Sequence, residues 1–203
     1  MNKVLIIDTC ILCIYLKVPK MDTCGPSDDK WDYARVKEKI DREIAENSTL
    51  VLPMATLIES GNHIAQAPCN RFEVANALAD IIKKVAMEEE PWAAFTFQNE
   101  LWNKDNLMKL ADTWPKLADS QISIGDATIK DVAEYYSAAS YTVEILTGDK
   151  GLKAYEPINV AYVPRRRWSE ITSVVIVVKL LFRVHESFCK KRKSKRIIYC
   201  TSK

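Results

Sequence analysis

Short, unbroken apolar runs alternate along this chain with longer segments in which apolar residues recur every three or four positions. Residues 3–7 (Lys-Val-Leu-Ile-Ile) have the pattern of a strand buried on both faces of a parallel sheet, and the run stops at Asp8. Residues 9–17 resume at helix length behind polar groups suited to capping. Residues 21–30 read as a loop, broken by Gly25 and Pro26. Tyr33, Val36, Ile40 and Ile44 keep helical spacing across residues 31–47. A second strand over 49–52 ends at Pro53, and a helix over 55–66 carries Leu57, Ile58, Ile64 and Ala65 on its apolar side. Helices are expected at 71–90, across much of 92–118, and at 125–140, where Asp126 stands near the N-terminus. A third strand at 142–146, a turn at Gly148-Asp149 and a fourth strand at 158–163 follow. Strands of parallel type alternating with helices imply a layered α/β fold.

The pattern changes after residue 164. Val174 to Val178 is β-branched and suits a strand, whereas Lys179, Arg183 and Glu186 keep helical spacing, so periodicity leaves this segment open. Charge divides the chain at the same place. Residues 165–203 hold 12 Lys/Arg and 2 Asp/Glu, a net of +10, which leaves −8 on residues 1–164 although the whole chain carries only +2. An acidic body of 1–164 with a basic extension of 165–203 is therefore expected. The 203 residues, 48% hydrophobic and 28% charged, are enough for one real core and exclude wholesale disorder.

Cysteine use narrows the setting. The six cysteines do not read as a disulfide framework in a chain of this size, and residues 4–16, interrupted by Asp8, are not a secretory signal. Without a long apolar run there is no transmembrane segment, and the expected location is the reducing cytoplasm. Cys10 and Cys13 have redox or half-zinc spacing but lack a second pair, so they are expected to be core thiols. The recurrence of Asp-Thr-Cys at 8–10 and 22–24 is too short to be a repeat.

Candidate chemistry lies in the acids that follow strands. Asp8 ends the first strand, Glu59 lies in the helix after the second, Asp126 opens a helix, and Asp149 follows the third strand. In open α/β sheets the carboxyl ends of strands form the ligand crevice. Carboxylates gathered there repel unless a cation neutralises them, and oxygen donors suit Mg²⁺ or Mn²⁺. Taken singly, Asp8 and Asp126 are as well explained as helix caps and Asp149 as a turn residue.

Taken in order, these pieces resemble a family. Val-Leu-Ile-Ile-Asp8-Thr9-Cys10, Leu-Pro-Met-Ala-Thr-Leu-Ile-Glu59-Ser, Ile-Gly-Asp126-Ala127-Thr-Ile and Glu-Ile-Leu-Thr147-Gly-Asp149-Lys150-Gly-Leu together resemble the PIN domain, a metal-dependent ribonuclease fold. The resemblance spans residues 3–163 and implies a three-layer α/β/α sandwich with a central parallel sheet. It implies that Asp8, Glu59, Asp126 and Asp149 hold one or two Mg²⁺ or Mn²⁺ ions, with Thr147 and Thr9 supporting them. Such a site hydrolyses RNA to leave a 5′ phosphate and a 3′ hydroxyl. Asp131 is an extra acid beside the set, five residues beyond Asp126 and so on a different helix face unless the first turn frays. Residues 67–120 exceed the compact toxin-type members and are expected to form a helical insertion or arm. Cys10 stands where many members carry Asn or Ser.

Other signals carry less. His63 follows Glu59 by one helical turn and is either a donor toward the site or a half-exposed helix residue. Trp92, Trp102 and Trp114 suit packing or a protein interface. Asp8-Thr9-Cys10 also invites comparison with haloacid-dehalogenase phosphatases, but the second acid they need is replaced by Cys10. Lys190, Lys191, Arg192, Lys193, Lys195 and Arg196 form a basic cluster suited to RNA phosphates, an anionic membrane surface or a solvated end. The expected function is a Mg²⁺/Mn²⁺-dependent endoribonuclease acting on RNA. The resemblance leaves open a toxin with an antitoxin partner, a defence effector or a processing enzyme, and a homodimer. The competing class is a PIN-fold module that binds RNA or protein without cleaving.

Overall fold

The computed structural model describes residues 2–158. Of the fourth strand expected at 158–163 only its first residue, Ile158, is described; the rest of it, the basic extension of 165–203 and its cluster at 190–196 lie outside the described residues.

The described residues form a mixed α/β structure, mostly helical, around a parallel sheet ordered β4-β1-β5. β1 (Lys3–Ile7) is central, with Val4 opposite Thr49 of β4 (Thr49–Val51) and Val143 of β5 (Thr142–Leu146). Alternate residues of β1 serve two apolar clusters. Leu5 and Ile7 pack with α1 (Thr9–Tyr15), α2 (Tyr33–Ala45), α3 (Met54–Gln66) and α4 (Arg71–Ala86). Val4 and Ile6 pack with Ile129, Val132 and Tyr136 of α6 (Ile124–Ala138). A strand apolar on both sides therefore has helical partners on both sides, as a continuous apolar run requires.

The segment read as a loop contains a small hairpin. β2 (Thr23–Cys24) pairs antiparallel with β3 (Trp31–Asp32), and β2 lies against α1. Gly25 allows the turn, with φ of +86°. Asp32 then caps α2, accepting from the Arg35 backbone N–H at 2.9 Å, so this helix starts two residues later than its apolar spacing suggested. Asn47 follows its end at φ +60°, the left-handed position that favours Asn or Gly.

Two helix faces differ from expectation because polar residues found partners. α2 buries Val36, Ile40 and Glu43, while Ile44 is left partly in solvent. Glu43 takes the inward place because Lys3, Lys39 and Ser48 all donate to it at 2.6–2.8 Å. α3 buries Thr56, Ser60 and Ile64, keeps Leu57 partly buried against the first cluster, and leaves Ile58 and Ala65 exposed. Thr56 Oγ1 donates to the Ile7 carbonyl at 2.9 Å, a bond that suits a small hydroxyl packed against the strand end.

The stretch 67–120 is helical in three pieces. α4 buries Val74, Leu78, Ile81 and Val85 in the first cluster. A 3₁₀ segment over Phe95–Trp102 follows, then α5 (Lys104–Asp119), which buries none of its residues and packs against α6. A short α7 (Lys150–Lys153) follows β5.

Candidate acidic site at the carboxyl end of the sheet

Asp8 leaves the carboxyl end of the central strand, where its backbone N–H donates to the Leu146 carbonyl of β5 at 3.1 Å. The same residue caps α1, with Oδ1 accepting from the Thr9 N–H at 2.6 Å. Its second oxygen, Oδ2, accepts from Thr147 Oγ1 at 2.7 Å and from Cys10 Sγ at 3.1 Å. Asp8 is only 7% exposed. Burial pushes its carboxyl above the usual range, the donors from Thr147, Cys10 and Thr9 oppose this, and the charge of Asp126 adds to the rise.

Glu59 comes in from α3. Its Oε2 accepts from Thr9 Oγ1 at 2.8 Å, and its Oε1 lies against Gly125 at the start of α6. A Cβ on Gly125 would stand 2.2 Å from that oxygen, so the Glu59 carboxylate can hold this place only beside a residue without a side chain. Asp126, next in the chain, closes a capping box with Ser123, whose hydroxyl donates to Oδ2 at 2.7 Å. Asp149 caps α7, accepting from the Gly151 and Leu152 backbone, while its own N–H donates to Thr147 Oγ1 at 2.9 Å. Thr147 thus bridges Asp8 to the backbone of Asp149.

An open cavity of about 550 Å³ adjoins these groups, with Asp8, Thr9, Asp149, His63 and Lys150 among its lining residues. Glu59 and Asp126 do not line it. Asp131 points elsewhere, 3.5 Å from Lys130. The opposite wall is the β2–β3 hairpin, through Met21, Cys24, Gly25 and Pro26. Sequence reasoning missed this wall, and the second Asp-Thr-Cys at 22–24 was its one visible trace. Cys13 is a fully buried core thiol, pushed up to about 11 by burial. Cys10, expected in the core as well, is half-buried and faces the cavity, because the turn from β1 into α1 brings it beside Asp8. The neighbouring Cys24 thiol first, with burial and Asp8, holds Cys10 well above the usual thiol range, and Cys10 in turn lowers Cys24.

The donors suit a hard divalent cation in kind: carboxylate and hydroxyl oxygens, with no basic side chain in an ion pair with Asp8, Glu59, Asp126 or Asp149 among the described residues. They do not stand as a finished cage. Among the described residues no three His, Cys, Asp or Glu side chains are grouped to hold a metal ion. No helix of the described residues is long and apolar enough to cross a membrane. The chain matches no family model, no curated protein and no solved structure.

Proposed function

We propose that this protein is a Mg²⁺/Mn²⁺-dependent endoribonuclease of PIN type, with a three-layer α/β/α body. The two apolar clusters on opposite sides of the parallel sheet support that architecture. The observation that carries the activity is Asp8: an acid 7% exposed at the end of the central strand, raised further by Asp126 and without a basic partner among the described residues. Charge left unbalanced in this way is what a bound cation relieves. Asp8, Glu59, Asp126 and Asp149 would hold the ion; Asp131, beside Lys130, would not join them. When bound, Mg²⁺ or Mn²⁺ orients a water and stabilises charge on the phosphoryl group. Thr147 fixes the Asp8 carboxylate, and Thr9 fixes Glu59. Lys190, Lys191, Arg192, Lys193, Lys195 and Arg196 would draw RNA toward an acidic body through phosphate contacts. The reading places the enzyme in the cytoplasm, as a toxin restrained by an antitoxin, a defence effector or a processing enzyme, alone or as a homodimer.

The test is cleavage of a mixed RNA pool by purified protein. The reading expects products with 5′ phosphates, formed with Mn²⁺ or Mg²⁺ and abolished by EDTA. A second reading, a PIN-fold module that binds RNA or protein without cutting, draws on one observation. Asp126 and Asp149 already spend their side chains on helix caps, and no three acids are grouped. That reading expects EDTA-insensitive binding and intact RNA.

A further inference from the structure

We propose that Cys10 and Cys24 form a reversible dithiol–disulfide site in the wall of the acidic cavity, closed by a peroxide-class oxidant. Fourteen positions apart in sequence, these thiols are brought together by the packing of β2 against α1. Both sulfurs lie on Gly148: its N–H donates to Cys10 Sγ at 3.4 Å, and a Cβ there would stand 2.5 Å from Cys24 Sγ. Both are half-buried, and both line a cavity open to a small oxidant. Cys13, one turn along α1, is sealed in the core and serves as the internal contrast.

In the reaction one sulfur displaces hydroxide from hydrogen peroxide and becomes a sulfenic acid, its proton leaving with the hydroxide as water. The second sulfur then attacks the first and expels the sulfenic hydroxyl, which takes the second thiol proton to give water. Two electrons pass from the thiols to the peroxide, and a dithiol reverses the bond by exchange. Closure removes the Cys10 S–H that donates to Asp8 Oδ2 and ties the hairpin wall covalently to α1. The effect on cleavage rests on the nuclease reading above; the bond itself does not.

The experiment treats the full-length protein with hydrogen peroxide until the exposed Cys69 has reacted, then maps it with trypsin. The expected product joins residues 4–17 to residues 21–30 through Cys10 and Cys24, lighter by two hydrogens than the separate peptides, and dithiothreitol dissolves it. Cys24→Ser and Cys10→Ser each abolish the linked peptide, whereas Cys13→Ser leaves it. RNA cleavage by the wild type should fall roughly tenfold on oxidation, the scale of one lost hydrogen bond to a charged group, and recover with dithiothreitol. In Cys24→Ser the ratio of treated to untreated activity should stay at one. Absence of the linked peptide while Cys69 is oxidised, or linkage through Cys13 instead, overturns the proposal. If the linkage forms but the reduced protein cuts no RNA, the dithiol site stands and the nuclease reading fails.

Discussion

The Thr147 hydroxyl donates to Asp8 Oδ2 at 2.7 Å, joining the residue that follows β5 to the residue that follows β1. Because the hydroxyl also accepts from the Asp149 N–H, its loss leaves two groups short of a partner. Thr147→Val should therefore destabilise the fold by about 2 kcal/mol, the cost of removing a hydrogen bond from a charged, buried group. Thr147→Ser should recover most of this, and urea denaturation of the three proteins compares them.

Gly125→Ala separates the site from the fold. The new methyl would meet the far end of the Glu59 side chain, which can swing away, and alanine favours the helix by about 0.5–1 kcal/mol. Thermal unfolding should change little or improve, while RNA cleavage falls because Glu59 leaves Thr9. Gly148→Ala meets the Gly25 backbone at 2.8 Å instead, and should lose about 1–3 kcal/mol of stability. Melting curves and cleavage rates for both variants check the contrast.

Acid should unfold the protein through Glu43. Burial would push this carboxyl up, but Lys3, Lys39 and Ser48 overcome it and hold it at about 2, below its ordinary 4.5. A carboxyl lowered by folding contributes stability that is complete above its unfolded value and is lost as the pH falls through the folded one. The loss therefore runs from near 4.5 down to about 2 and amounts to roughly 3 kcal/mol. Urea midpoints across that window should fall more steeply for wild type than for Glu43→Gln, whose side chain cannot titrate there.

How legible each part was depends on where its stabilisation comes from. β1 and β5 stood out because strands buried on both faces are continuous apolar runs, and their bounds match the apolar stretches at 3–7 and 142–146. The β2–β3 hairpin left no such mark, since two-residue strands are held by backbone pairing and by Gly25 rather than by apolar alternation. The inward place of Glu43 left no mark in the apolar spacing of α2, because its partner Lys3 lies forty positions away. The acids were visible as strand-end and helix-start residues, and the structure brings Asp8 to Thr147 and Glu59 to Thr9. Their tight mutual grouping did not follow, because capping engages Asp126 and Asp149 locally.

The basic extension makes a separate prediction from charge alone. Deleting residues 185–203 removes Lys190, Lys191, Arg192, Lys193, Lys195, Arg196 and Lys203 and spares the four candidate ligands. RNA binding should weaken and its dependence on salt should become shallower, with turnover at saturating RNA nearly unchanged. Binding titrations at several salt concentrations decide it; an unchanged salt slope means that these bases do not contact RNA.

The central claim is that Asp8 and its neighbouring acids hold a catalytic metal, and side-by-side cleavage by wild type, Asp8→Asn and Asp126→Asn in Mn²⁺ tests it most directly. Each substitution keeps the side chain's shape while removing its charge. The account predicts cutting by the wild type that EDTA stops, and a loss of at least about a hundredfold in each variant, the scale for weakening a catalytic metal site. Variants that cleave as fast as the wild type, or a wild type that cuts equally well in EDTA, would contradict it.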